Sequence, residues 1–113
     1  MKYTKGVELD DTTLTTVLTV PSGHVAHVEY IFLENHSDND VDMDLLIEEG
    51  STEIYLMDAT ELKSAEPTEF FRGVFVIQPG KKIKAQLDTA EDYVAIAVTF
   101  ELLPAPTVFH SFD

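Results

Sequence analysis

Over most of this chain the apolar residues fall at every second position. Val41, Met43, Leu45 and Ile47 alternate with Asp40, Asp42 and Asp44. Ile83, Ala85 and Leu87 alternate with Lys82, Lys84 and Gln86. Val94, Ile96, Val98, Phe100 and Leu102 alternate with Tyr93, Ala95, Ala97 and Thr99. A period of two belongs to a strand that buries one face, whereas a helix would need apolar residues three and four apart. No segment keeps a helical period. Turn chemistry separates the runs at Pro21-Ser22-Gly23, residues 35–39, Gly50-Ser51, Gln78-Pro79-Gly80 and Thr89-Ala90-Glu91. The expectation is an all-β chain: a single two-sheet, jelly-roll-like sandwich of about seven to eight antiparallel strands.

Other segments read less cleanly. In residues 12–20, Leu14, Leu18 and Val20 are placed on one face and Thr13, Thr15 and Thr19 on the other. Residues 24–35 form a longer strand, with Ala26, Val28, Tyr30 and Phe32 on one face. Ile31 and Leu33 make its second face apolar too, as in a central strand covered on both sides. Residues 52–57 read as a short strand, and residues 58–66 as a loop with one helical turn through Ala59 and Leu62. Extended structure resumes at Pro67, and Gly73 interrupts it as a bulge would. The chain therefore divides into an N-terminal lead-in (1–11), a sandwich domain (12–103) and an extended C-terminal arm (104–113).

A length of 113 residues supports one core. With no cysteine, neither a disulfide framework nor thiolate chemistry is open to it. Twenty-one carboxylates against seven Lys plus Arg give a formal net charge of −14. Such a surface repels phosphate backbones and anionic membranes, so neither nucleic acid nor membrane is expected as a partner. No signal peptide or membrane span is expected either, because the apolar runs are only four or five residues long.

The sharpest local pattern is Asp38-Asn39-Asp40-Val41-Asp42-Met43-Asp44 with Glu49 eleven residues after Asp38. It imitates a calcium loop but puts Met43 where the sharp turn needs glycine, and no helix flanks it. A strand with outward aspartates accounts for the same residues, so no metal site is expected. His24 and His27 fall on opposite faces of one strand, and with His36 and His110 they make no zinc set. The serines lie in turns or tails without a nucleophile elbow. No catalytic residue and no cofactor is therefore expected. A pair of glycosidase-like carboxylates would need a cleft that a sandwich of this size hardly offers.

Lys81, Lys82 and Lys84 hold half of the lysines just after the Pro79-Gly80 turn. They read equally as a contact for an acidic neighbour and as protection of a strand edge. Ala95 and Ala97 leave the outer face of the last strand small and weakly polar. The tail carries Val108, Phe109 and Phe112 behind two prolines, which suits either a docking arm or a segment folded over its own domain. These eight residues are the expected protein interface.

The run "TTVLTVPSGHVAHVEYIFLENHS" resembles the opening of small β-sandwich modules among the structural proteins of tailed-bacteriophage virions. The later "VFVIQPGKKIKAQLDTAEDYVAIAVTFELL" keeps the Gly80, Ile83 and Ala85 of that pattern, with Lys81 where an acid is usual. The resemblance implies a non-enzymatic virion protein, as capsid decoration or cement, a head–tail accessory or a fibre adaptor. It further implies a symmetric homo-oligomer or assembly component, whose partners are other virion proteins and copies of itself. The alternative is a carbohydrate- or receptor-binding module on a particle, which four tyrosines and no tryptophan equip poorly.

Overall fold

The computed structural model describes residues 2–90 and 93–106. It contains eight strands: β1 (Lys2–Leu9), β2 (Thr15–Thr19), β3 (His24–Asn35), β4 (Val41–Glu49), β5 (Thr52–Leu62), β6 (Pro67–Ile77), β7 (Lys82–Leu87) and β8 (Val94–Pro104). They form two four-stranded sheets, in the orders β1-β8-β3-β6 and β2-β7-β4-β5, with antiparallel pairing throughout. Every connection crosses from one sheet to the other except β4 to β5. This is the strand order of a jelly roll, and the expected sandwich is present with eight strands.

The β4–β5 hairpin turns on two residues, Gly50 and Ser51, and Gly50 has φ 67°. A positive φ at the first turn residue suits the right-handed twist of the flanking strands, and glycine adopts it without a Cβ penalty. Between the sheets lie Val28, Ile31 and Leu33 of β3, Leu45 of β4, Ile83 and Ala85 of β7 and Val94 and Val98 of β8, all fully buried. Each large side chain buried this way is worth roughly 1.5–3 kcal/mol.

Four local readings change. In β3 the pairing shifts register between Val28 and Tyr30 on both sides of the strand. This bulge at Glu29 reverses the alternation, so Ala26 and Val28 face the core before it and Ile31 and Leu33 after it. Tyr30 and Phe32 go to the outer face, half-buried. The two apolar faces in the sequence are therefore one core-facing row interrupted by one residue. β2 has the same device at Val17, which lets the consecutive Val17 and Leu18 both be buried, while Leu14 stays exposed.

Residues 58–62 are strand rather than loop. β5 absorbs a bulge at Ala59 (φ 48°), whose N–H donates to Asp44 Oδ1 at 2.8 Å. The segment expected as a lead-in contains β1, paired along its whole length with β8. Only Leu9 of that strand is buried, so its alternation carries almost no apolar signal. The expected bulge at Gly73 is present, with φ 153°. A Cβ there would come within 3.2 Å of the Phe71 ring, which packs edge-on against Phe75 at 4.8 Å.

Candidate functional site

One end of the sandwich gathers the β2–β3 turn, the β6–β7 turn and the end of β8. Gly23 (φ 76°) and Gly80 (φ 77°) supply the left-handed backbone that both tight turns require. The turns are tied together: Val20 N–H donates to Lys81 O and Gly80 N–H to Val20 O, both at 2.9 Å. Ala105 N–H donates to Gly23 O at 2.9 Å, so the chain leaves β8 across the first turn. Lys81 and residues 104–106, from two separate sequence signals, thus meet at one end. Val108, Phe109 and Phe112 lie outside the described residues.

The three lysines are not equivalent. Lys84 pairs with Glu48 at 2.7 Å, with both side chains mostly covered (18% and 25% exposed). The Lys84 hydrogen bond is the main reason the Glu48 carboxyl sits below the usual carboxylate range, with smaller help from the charges of Lys84 and Lys82. Lys82 lies opposite Glu48 in the β4–β7 register. Lys81, on the turn itself, has no ion pair among the described residues. Of the three, only Lys84 is therefore answered by an ion pair among the described residues.

The opposite end is held by buried polar groups. Asn35 and Ser37 are 0% and 2% exposed. Asn35 Nδ2 donates to Asn39 O at 2.8 Å and Leu62 O at 3.1 Å, while its Oδ1 accepts from Ser37 N–H at 2.9 Å. Ser37 Oγ lies 2.7 Å from both Asn35 Oδ1 and Asn39 O, and its single proton serves one of them at a time. Ala65 N–H closes the set on Asn35 O at 2.8 Å. The signal for this hub was visible, as an asparagine ending an apolar strand before a polar turn, although its role was not.

Two of the aspartates that imitated a calcium loop, Asp40 and Asp44, cap separate segments. Asp40 Oδ1 accepts from Ser64 N–H at 2.8 Å, the chief cause of its lowered pKa, ahead of the nearby Lys63. Asp44 caps Ala59, and Asp42 N–H donates to Asp88 Oδ1 at 3.2 Å. Among the described residues no three His, Cys, Asp or Glu side chains are grouped to hold a metal ion. His36 stacks on Tyr93 at 4.3 Å and meets Glu34 at 2.6 Å, and His24 Nδ1 lies 3.1 Å from Ser22 O. His110 lies outside the described residues.

The outer face of the β1-β8-β3-β6 sheet carries two shallow depressions. Ala95 and Ala97 floor one of about 470 Å³, between Gly6 and Glu8 of β1 and Phe32 and Glu34 of β3. The other, of about 540 Å³, is lined by Lys2, Glu29, Tyr30, Arg72, Gly73 and Thr99. Its charges are matched: Lys2 meets Glu29 at 3.0 Å, and Arg72 grips both oxygens of Glu69 at 2.9 and 3.1 Å. Arg72 also holds Glu69 below its ordinary pKa, so that carboxylate is a poor proton donor near neutral pH. The guanidinium covers the Tyr30 ring at 5.2 Å, and Tyr30 and Phe32 stack at 6.4 Å, which leaves no bare aromatic platform.

No family model matches the sequence, and no curated protein matches it. Among solved structures, the chain is similar to a chain of the "Acidic stable capsid structure of Helicobacter pylori bacteriophage KHP30". That match has a TM-score of 0.65 at 15% identity and covers 94% of both chains. A pentameric capsid protein isolated from metagenomic phage sequences matches with a TM-score of 0.47 at 12% identity, over 85% of this chain and 60% of that one. At 15% identity the first match shows a shared fold, an eight-stranded sandwich end to end.

Proposed function

We propose that this chain is a non-enzymatic structural protein of a tailed-phage virion, acting through protein–protein contacts as capsid decoration or cement. It assembles onto the particle in the host cytoplasm, and its partners are the shell protein and copies of itself. The observation that carries this reading is the end-to-end match, 94% of each chain, to a chain of a phage capsid structure. Equal coverage of both chains means that the matched chain is of similar length. The matched charges of the Tyr30 depression and the unconverging aspartates support a surface made for contacts rather than for chemistry. Attachment uses the end where the Lys81 turn and residues 104–106 meet, because Lys81 and Lys82 there have no ion pair among the described residues of a strongly acidic chain.

Mixing the purified protein with shells assembled from the capsid protein encoded beside it tests the proposal. Binding at a fixed copy number per shell, read by sedimentation and electron microscopy, is expected. Absence of binding to such shells, or stoichiometric capture of a glycan on an array, would replace this reading with that of a receptor-binding module.

A further inference from the structure

Four strands lie at sheet edges, and three of them are guarded. β1 carries Lys2 and Lys5. β2 is only five residues long and bulged. β5 is bulged at Ala59 and carries Glu53, Asp58 and Glu61. Short length, charge and bulges are the usual means by which a protein keeps free strand edges from pairing.

β6 differs. From Phe70 to Ile77 it reads FFRGVFVI, with one cation and no carboxylate. Arg72, the only charge of that run, is taken up by Glu69 of the same strand. Val74 and Val76 are 62% and 46% exposed, and Val74 is the most exposed of the large apolar side chains that stand out on the surface. The β3–β6 register shifts at Phe70 and again across Gly73 and Val74, and the run from Phe75 to Ile77 beyond is regular. This edge also opens residues 70–87, the longest stretch of the chain without a carboxylate, which holds four of its seven Lys plus Arg.

We infer that β6 is the edge at which a second copy of this chain pairs. Two copies that each carry a charge of −14 repel one another over nearly all of their surface. They approach most easily where carboxylates are missing, which also brings exposed valines and unpaired strand N–H and C=O groups face to face. Antiparallel pairing of β6 with the β6 of the partner copy, about a two-fold axis near Phe75 and Val76, is self-complementary and closes on itself. It joins the two β1-β8-β3-β6 sheets into one eight-stranded sheet and keeps the acid-rich ends apart. This inference does not depend on a virion role.

Sedimentation equilibrium of the purified chain tests it. The wild type should dimerise, and more tightly in 1 M than in 0.1 M NaCl, because the Debye length falls from about 10 to 3 Å and screens the repulsion. A contact made of lysine–carboxylate pairs would weaken instead. Val74→Glu with Val76→Glu should raise the dimer dissociation constant about a hundredfold or more, and Lys2→Glu with Lys5→Glu on the β1 edge should not. A wild type that stays monomeric in 1 M salt, or an equally dimeric Val74→Glu/Val76→Glu variant, overturns the inference. If that variant fails to fold, amide exchange on the wild type decides. Protection of residues 74–77 that grows with protein concentration supports pairing, and protection independent of concentration refutes it.

Discussion

The two ends of this sandwich are built by opposite means. At one end Asn35 and Ser37 are buried, and their side chains satisfy backbone groups from three segments, the turn at 37–39, Leu62 of β5 and Ala65. At the other end no comparable side-chain hub occurs among the described residues. Glycines at positive φ and three backbone hydrogen bonds join the β2–β3 turn, the β6–β7 turn and the segment after β8. The first end is also crowded with aspartates used as turn caps, while the second carries Lys81 without an ion pair. An end fixed by buried polar side chains is rigid and costly to alter. An end fixed by backbone leaves its side chains free for a partner.

The largest test of this contrast is Asn35→Ala. It strands Leu62 O and Ser37 N–H, while Asn39 O still accepts from Ser37 Oγ, and buried polar groups left unsatisfied cost about 1–3 kcal/mol each. Allowing for relaxation, a loss of roughly 2–4 kcal/mol in urea unfolding is expected. A loss no larger than that of a surface substitution would break the comparison. Gly80→Ala at the other end should cost less, about 1–2 kcal/mol, because only the left-handed backbone conformation is penalised and no atom lies within 4 Å of the new Cβ.

Lys81→Glu should leave the thermal midpoint nearly unchanged while weakening attachment to capsid shells in 0.1 M salt, whereas Lys84→Glu should also lower the midpoint, because it removes the mostly covered partner of Glu48. Retained attachment would take these lysines out of the interface; edge protection is no alternative for Lys82 and Lys84, because β7 lies between β2 and β4 and has no free edge.

The smallest effect is in pH. The Asp40 and Glu48 carboxyls sit below their ordinary pKa, through the Ser64 N–H and the Lys84 ammonium respectively. A carboxyl with a depressed folded pKa stabilises the fold above its unfolded pKa of about 4 and loses that contribution as pH falls through the folded value. Stability should therefore fall slightly between pH 5 and 3, and Asp40→Asn should flatten the part that belongs to the acid-rich end. An identical pH slope in that variant would show that the cap contributes nothing through its charge.

Much of the fold was legible in the sequence because alternation survives wherever a strand is regular, as in β4, β7 and β8. Legibility failed at the bulges. One extra residue at Glu29 moved Tyr30 and Phe32 to the outer face, and another at Ala59 made a strand look like a loop. β1 was missed because an edge strand that buries only Leu9 leaves no periodic trace. Of the expected interface, Lys81, Lys82 and Lys84 stand together in the sequence, but that Glu48 answers Lys84 depends on which strand lies beside β7. Ala95 and Ala97 were placed on the outer face by parity alone.

Sequence by itself determined the period, the turns, the absence of thiol chemistry and the charge of −14, because each is a property of a residue and its near neighbours. Only the tertiary structure decided that the lysine turn and the segment after β8 share one end, that the aspartates do not converge, and that β6 is a sheet edge. Those facts depend on strand order, and strand order brings together residues far apart in the chain, as when Val20 bonds to Lys81. No local pattern encodes that pairing. It follows from how two sheets bury one core.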